Sequence, residues 1–102
     1  MGRGEGRTSD RRFTIVAYDI ADDPRRNRVA KVLLGYGDRV EESVFEAWLS
    51  PGELDEMERD VAECLEVDVD VVRVYILCRD CVGRTRTLGP AAPPSDPPVV
   101  VL

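Results

Sequence analysis

Six consecutive residues, Phe13-Thr14-Ile15-Val16-Ala17-Tyr18, are apolar or β-prone, and the run stops on a carboxylate, Asp19. A strand with one wet face alternates polar and apolar residues, so an unbroken run predicts a central strand covered on both faces. This demand for neighbours on both edges and cover on both faces limits the fold more than any other feature of the chain. A carboxylate ending such a strand is costly unless it finds partners. Ile20-Ala21 lead to Asp22-Asp23-Pro24. Proline suits the first helical position, and Asp23 before it is placed to cap free backbone donors. The helix predicted from there turns Arg25, Arg26, Arg28 and Lys31 outward and Val29, Ala30, Val32, Leu33 and Leu34 towards the core. A strand-end carboxylate beside clustered guanidinium groups suits a metal and a phosphodiester.

The rest of the chain alternates in the same way. Gly35-Tyr36-Gly37 predicts a helix stop, because glycine reaches the left-handed conformation cheaply. Between Asp38 and Leu49, Phe45, Ala47 and Leu49 share one strand face, and Val44, Glu46 and Trp48 share the other. Val40 is out of phase, which predicts a bulge or tight turn near Glu41–Ser43 and either one long strand or two short ones. Ser50-Pro51-Gly52-Glu53 spells a capping box with proline at the first helical position. The helix after it is expected to reach about Glu66, with an apolar stripe of Leu54, Met57, Val61, Cys64 and Leu65 and a strongly acidic outer side. Residues 71–78 form another nearly continuous apolar run, Cys78-Arg79-Asp80-Cys81 closes it, and residues 82–88 offer a short final strand. Residues 1–11 read as a disordered tail and 90–102 as a Pro-rich tail, leaving 12–89 as the folded domain.

Strand, helix, one or two strands, helix, strand predicts an α+β fold, a ferredoxin-like βαββαβ sandwich with helices on one face of an antiparallel sheet. Two helices leave the other sheet face bare. The doubly apolar strands therefore point to a second copy as its cover.

At 102 residues the chain is one domain with room for a single core. It has no histidine, which excludes Ser-His and Cys-His catalysis, a histidine base and His-ligated zinc. Hydrolytic chemistry would have to rest on carboxylates, a metal, Tyr, Lys or Arg. Three unevenly placed cysteines make no disulfide framework and agree with a reducing compartment. No apolar run approaches the roughly 20 residues that cross a bilayer. Together with an N-terminus lacking a signal segment, this predicts a cytoplasmic protein with no membrane contact. The net charge of −6 argues against nucleic acid when taken whole, but it is unevenly spread. Residues 1–40 hold nine basic and six acidic side chains, whereas 41–102 hold five and fourteen, so the two parts are expected to face different partners or different parts of one assembly.

Read together, Tyr18-Asp19-Ile20, Asp22-Asp23, Arg25-Arg26-Asn27-Arg28, Arg39-Val40, Ser43-Val44-Phe45-Glu46 and Leu49-Ser50 resemble a known family. So do Arg73-Val74-Tyr75 and Leu77-Cys78 followed by Cys81. The family is that of the CRISPR-associated endoribonucleases, the small second spacer-acquisition protein, and the likeness runs from Phe13 to Gly89. Each motif alone is weak, and their order and spacing are specific. The resemblance implies a ferredoxin-like homodimer in which the C-terminal strand of each subunit completes the partner's sheet. It implies a divalent metal, Mg2+ or Mn2+, one per homodimer, held on the two-fold axis between two copies of Asp19. It further implies hydrolysis of phosphodiesters in single-stranded RNA or duplex DNA, and a bridging role with the CRISPR integrase that inserts new spacers. Members differ in whether nuclease activity is detectable or needed. Carried over by position, Asp19 is the catalytic metal ligand, and Tyr18, Arg26, Arg28, Arg39 and Phe45 support the site or contact nucleic acid. Glu42 departs from the family pattern, where the residue before Ser43 is often aromatic or polar and uncharged.

Bland readings stand beside these. Asp19 also suits a strand end satisfied by backbone donors, Asp22 and Asp23 suit helix capping as well as outer-sphere metal contacts, and the arginines suit a solvated helix face. Three arginines near a helix start oppose the macrodipole, which tilts the balance towards function. Phe45 and Trp48 suit packing more than base stacking. The single CxxC is half a zinc site and follows a strand, whereas a redox pair favours a helix start, so it reads as structural. Two functional classes remain: a metal-dependent endonuclease, and a non-catalytic dimeric scaffold that binds the integrase and incoming DNA. A small-ligand or acylphosphatase-like domain on the same fold is a weak third, because the chain lacks a glycine-rich anion loop.

Overall fold

The computed structural model describes residues 10–90, so both tails expected from the sequence lie almost wholly outside the described residues. The chain runs β1 (Arg12–Asp19), α1 (Asp23–Leu34), β2 (Asp38–Glu41), β3 (Val44–Leu49), α2 (Pro51–Ala62), β4 (Val71–Leu77) and a short α3 (Arg79–Gly83). The four strands form one antiparallel sheet in the order β2-β3-β1-β4. This is the expected ferredoxin-like βαββαβ arrangement, with β1 central. Its neighbours are fixed by pairs such as Val16 with Phe45 on one side and Val74 on the other.

α1 and α2 cover one face of the sheet. Val16, Tyr18, Phe45, Ala47 and Leu49 meet Val29, Ala30, Leu33, Met57 and Val61 there, and all are buried. Burying each large side chain of this set contributes about 1.5–3 kcal/mol. Leu34, expected in the core, is 57% exposed, because one further step along α1 turns it away from the sheet. α2 ends at Ala62 rather than near Glu66, and Cys64 and Leu65 pack against the core from the turn that follows. The Ser50–Glu53 capping box forms in both directions.

Four expectations need correction. Asp22, not Asp23, is the N-cap of α1, and its carboxylate accepts from Arg25 N–H at 3.0 Å. Pro24 lies within the first turn, so the capping residue moves one place back. Gly35 ends α1 with a right-handed φ of −77°, and among the described residues only Gly89 has positive φ, so neither Gly35 nor Gly37 serves left-handedness. The short strand expected at 82–88 does not form within this copy. Residues 79–83 are helical instead, and 84–88 join neither edge of the sheet. Finally, Cys78 both follows β4 and caps α3, so the pair does stand at a helix start. The irregularity foreseen near Val40 is present. β2 and β3 are separate strands whose register shifts between Arg39 and Glu41, leaving Val40 exposed.

The second sheet face carries no long helix. It presents Ile15, Ala17, Val44 and Trp48, half-buried, with Val71 and Tyr75 exposed on β4. α3 screens only one end, where Phe13 tilts against Trp48 at 5.2 Å and Arg79 lies over the Trp48 ring. One copy therefore leaves β1 wetter on this face than its sequence allows for.

A half-buried ion pair ties the helix layer to the start of β4. Arg25 donates to both oxygens of Asp70, at 2.7 and 3.1 Å, and Asp70 also accepts from Glu66 N–H at 2.9 Å. The Arg25 guanidinium, with the Glu66 amide, holds the Asp70 carboxyl below the usual carboxylate range. A carboxylate lowered in the folded state stabilises the fold above its unfolded pKa of about 3.9, and that contribution disappears as pH falls through the folded value. Asp70→Asn is therefore expected to lower the melting temperature by about 5–10 °C at neutral pH. The gap between variant and wild type should shrink below about pH 4. A gap that stayed constant from pH 7 to pH 3 in thermal melts would show that the charge is not what matters.

Candidate functional site

Asp19 is the last residue of β1 and pairs with Val71 of β4 in the ladder. Alternation from buried Tyr18 turns its side chain onto the helix-free face, where it is exposed. No hydrogen bond or ion pair holds its carboxylate among the described residues. The bland alternative, a carboxylate satisfied by backbone donors, is not what the geometry shows.

The backbone around Asp19 is held firmly. Tyr18 N–H donates to the Ser43 carbonyl at 3.1 Å, and Tyr18 O–H to the Glu42 carbonyl at 3.1 Å. Arg39 adds two donors to that same Glu42 carbonyl, at 3.1 and 2.6 Å, and lies 5.7 Å from the centre of the Phe45 ring. Phe45 in turn stacks on Tyr18 at 6.3 Å and is 1% exposed. Tyr18, Arg39 and Phe45 thus form one clasp that pins the end of β1 to the β2–β3 turn. Tyr18 and Phe45 lie on the helix side of the sheet, opposite Asp19. They position the strand end and do not face the same space as its carboxylate. Phe45 is core and not a base-stacking platform.

On the other side of Asp19, Arg26 folds back over the β1–α1 loop. It donates to the carbonyls of Ile20 at 2.9 Å and Ala21 at 3.3 Å, and pairs with Asp23. Arg25 is spent on Asp70. Of the arginines at the start of α1, Arg28 alone is exposed with no hydrogen bond or ion pair among the described residues. The cluster read as a phosphate-binding patch thus divides into a helix anchor, a loop brace and one unengaged cation. The bond between Arg25 and Asp70 spans 45 residues, and no local pattern announces it.

An acidic pair, Glu46 and Asp38, faces across β2 and β3. Glu46 sits between Ile15 and Asp38 in the cross-strand register, and burial, then the Asp38 charge, pushes its carboxyl up. No three His, Cys, Asp or Glu side chains converge on one point among the described residues. One copy offers the single carboxylate of Asp19, so a hard divalent cation fits here only when a second copy brings its own Asp19. The exposed position on the uncovered face allows that approach.

Comparisons with known proteins identify the family. Residues 12–85 match the family described as CRISPR associated protein Cas2. The chain is 40% identical over 85 residues to a CRISPR-associated endoribonuclease Cas2 of Chloroflexus aurantiacus, covering 83% of this chain and 91% of that one. Its fold is similar to the crystal structure of Streptococcus pyogenes Cas2, with a TM-score of 0.66 and 30% identity, covering 76% of this chain and 99% of that one. It is also similar in fold to a chain solved in a partial Cas6-RT-Cas1–Cas2 complex, with a TM-score of 0.63, 22% identity, and coverage of 76% and 90%. A match spanning nearly the whole folded part and a relative at this identity lead to one statement: the chain belongs to the CRISPR associated protein Cas2 family.

Proposed function

We propose that this chain is a metal-dependent endonuclease of CRISPR adaptation, working as a homodimer whose two Asp19 carboxylates hold one Mg2+ or Mn2+ across the two-fold axis. The observation that carries the reading is Asp19 itself: exposed and without a partner among the described residues, yet fixed in register at the end of the central strand. Family membership supplies the reaction class, since the Chloroflexus relative bears the name endoribonuclease. The bare apolar sheet face supplies a reason for a second copy.

In this reading each part of the chain has a task. The Tyr18–Arg39–Glu42 clasp and the Arg26 brace hold the two loops flanking Asp19, so the carboxylate is presented without reorganisation. Arg28 contacts phosphate oxygens without reading bases. The acidic outer side of α2 repels a polyanion and confines it to the Asp19 end. When bound, the metal lowers the pKa of a water and offsets charge at the phosphoryl group. The substrate is single-stranded RNA or duplex DNA, and the integrase of the same system is the protein partner. In a dimer, residues 84–88 complete the partner's sheet.

The single carboxylate per copy favours a second reading, a non-catalytic scaffold that bridges integrase dimers and binds the incoming DNA. Cleavage assays on both substrates, with magnesium and with chelator, separate the two. The enzyme reading expects magnesium-dependent products, a dimer mass by light scattering, and binding that weakens with salt and with Arg28→Ala irrespective of sequence. A dimer that binds DNA and cuts neither substrate is the scaffold. A monomer at micromolar concentration overturns both.

A further inference from the structure

The function proposed above leaves one chemically active cluster unused, the Cys78–Cys81 pair. Both side chains are exposed, and their sulfurs lie 3.3 Å apart. That is close to the roughly 3.5–4 Å of ordinary contact between unbonded heavy atoms. A disulfide needs about 2.05 Å, so closing the bond asks for little more than rotation of two surface side chains. The backbone already has the required turn, because Val82 N–H donates to the Cys78 carbonyl at 3.1 Å and brings the two residues together.

The two sulfurs are not equivalent. Cys78 Sγ accepts from Cys81 N–H at 3.3 Å, and the two thiols share a hydrogen bond. These contacts favour its thiolate and hold the Cys78 thiol below its ordinary value, with the Cys81 backbone donor as the chief cause. The side-chain hydrogen bond with Cys78, then the Cys78 charge, pushes the Cys81 thiol up. The third cysteine, Cys64, is half-buried, and its sulfur faces the Asp60 carbonyl at 3.6 Å. It is therefore an internal control.

We propose that Cys78 and Cys81 are a dithiol–disulfide couple in which Cys78 is the attacking thiolate, Cys81 the resolving thiol, and a small organic disulfide of the glutathione class the oxidant. The Cys78 thiolate attacks one sulfur of the oxidant, forming a mixed disulfide and expelling the first thiolate. Cys81 loses its proton to solvent and attacks Cys78 Sγ, which closes the protein disulfide and expels the second thiolate. Two electrons pass to the organic disulfide, which leaves as two thiols, and excess thiol reverses both steps.

The couple has a built-in reporter. Arg79 lies inside the loop that the disulfide would close, and its guanidinium sits 5.7 Å from the centre of the ring of Trp48, the sole tryptophan. Closing the loop fixes Arg79 relative to that ring. Oxidation therefore acts on the α3 end of the uncovered sheet face, away from Asp19 at the other end of β1.

The test uses the full chain, equilibrated without air in mixtures of glutathione and glutathione disulfide, then alkylated and weighed. Expected is a reversible two-electron transition to a form that takes up one alkyl group, at Cys64, in place of three, with Trp48 fluorescence changing at the same midpoint. Cys81→Ser should trap a mixed disulfide on Cys78, whereas Cys78→Ser should take up glutathione far more slowly, at Cys81. Both variants change surface side chains, so circular dichroism should match the wild type. Three alkyl groups retained across the whole range would overturn the proposal. So would trapping on Cys81 in preference to Cys78, or purified protein whose thiols are shielded by a tightly held metal ion.

Discussion

Asp19→Asn is expected to reduce magnesium-dependent phosphodiester cleavage on the order of a hundredfold or more, while the circular dichroism spectrum and the dimer mass stay those of the wild type. The fold does not use the charge. The Asp19 side chain is exposed and engages no hydrogen bond or ion pair among the described residues, and the β1–β4 ladder at this position runs through the backbone. Asparagine keeps the size and one carbonyl oxygen, so packing at the strand end survives. What disappears is the negative charge, once per copy, of the carboxylate proposed to hold a hard cation together with its counterpart in a second copy. Alanine would be a poorer test, because it also removes volume. Unchanged cleavage by Asp19→Asn would remove Asp19 from the chemistry. A wild type without any cleavage, whose Asp19→Asn variant still supports spacer acquisition with the integrase, would leave the scaffold reading in place.

The parts of this fold that were legible in the sequence are those whose cause is local. The Ser50–Glu53 box, the alternation of Phe45, Ala47 and Leu49, and the unbroken run of β1 each carry their own physical reason within a few residues, and each appears as expected. The phase slip at Val40 likewise announced the register shift between Arg39 and Glu41. What stayed hidden depends on residues far apart in the chain. Arg25, Arg26 and Arg28 look alike as letters, but Arg25 belongs to Asp70, Arg26 to the loop carbonyls of Ile20 and Ala21, and of the three only Arg28 is exposed with no partner among the described residues. The same limit applies to the site. Tyr18 and Asp19 are adjacent, yet strand alternation sends them to opposite faces, so a motif that reads as one site is a clasp on one side and a carboxylate on the other. α3 was missed for another reason: residues 79–83 have no apolar periodicity to announce a helix, and Cys78 is an unusual cap.

Gly37 is the position where the difference between a local and a distant cause is largest in energy. From sequence it is one of two glycines that stop a helix, but its φ is not positive. Its reason is close approach. A Cβ at Gly37 would lie 2.3 Å from the Glu46 carbonyl oxygen, 2.6 Å from Ala47 Cβ and 2.9 Å from Ala47 Cα. These are atoms of β3, which is paired on both edges, with β2 and with β1, so they have little freedom to retreat. Gly37→Ala is therefore expected to destabilise the fold by on the order of 3 kcal/mol. In a domain of this size that is a fall in melting temperature of roughly 10–20 °C. Gly52→Ala is the matched control. Nothing lies within 4 Å of its added methyl, and in the first turn of α2 alanine gains up to about 1 kcal/mol of helix propensity. The effect should also reach the site, because the start of β2 must move away from β3 to admit the methyl group. Arg39 would then lose its grip on the Glu42 carbonyl, and with it half of the clasp that fixes the end of β1. Urea titrations of the two variants measure the first effect, and cleavage rates well below the melting temperature measure the second. A Gly37→Ala unfolding free energy within about 0.5 kcal/mol of wild type would mean that β3 yields at Ala47, and that the close approach at Gly37 does not hold the strand end.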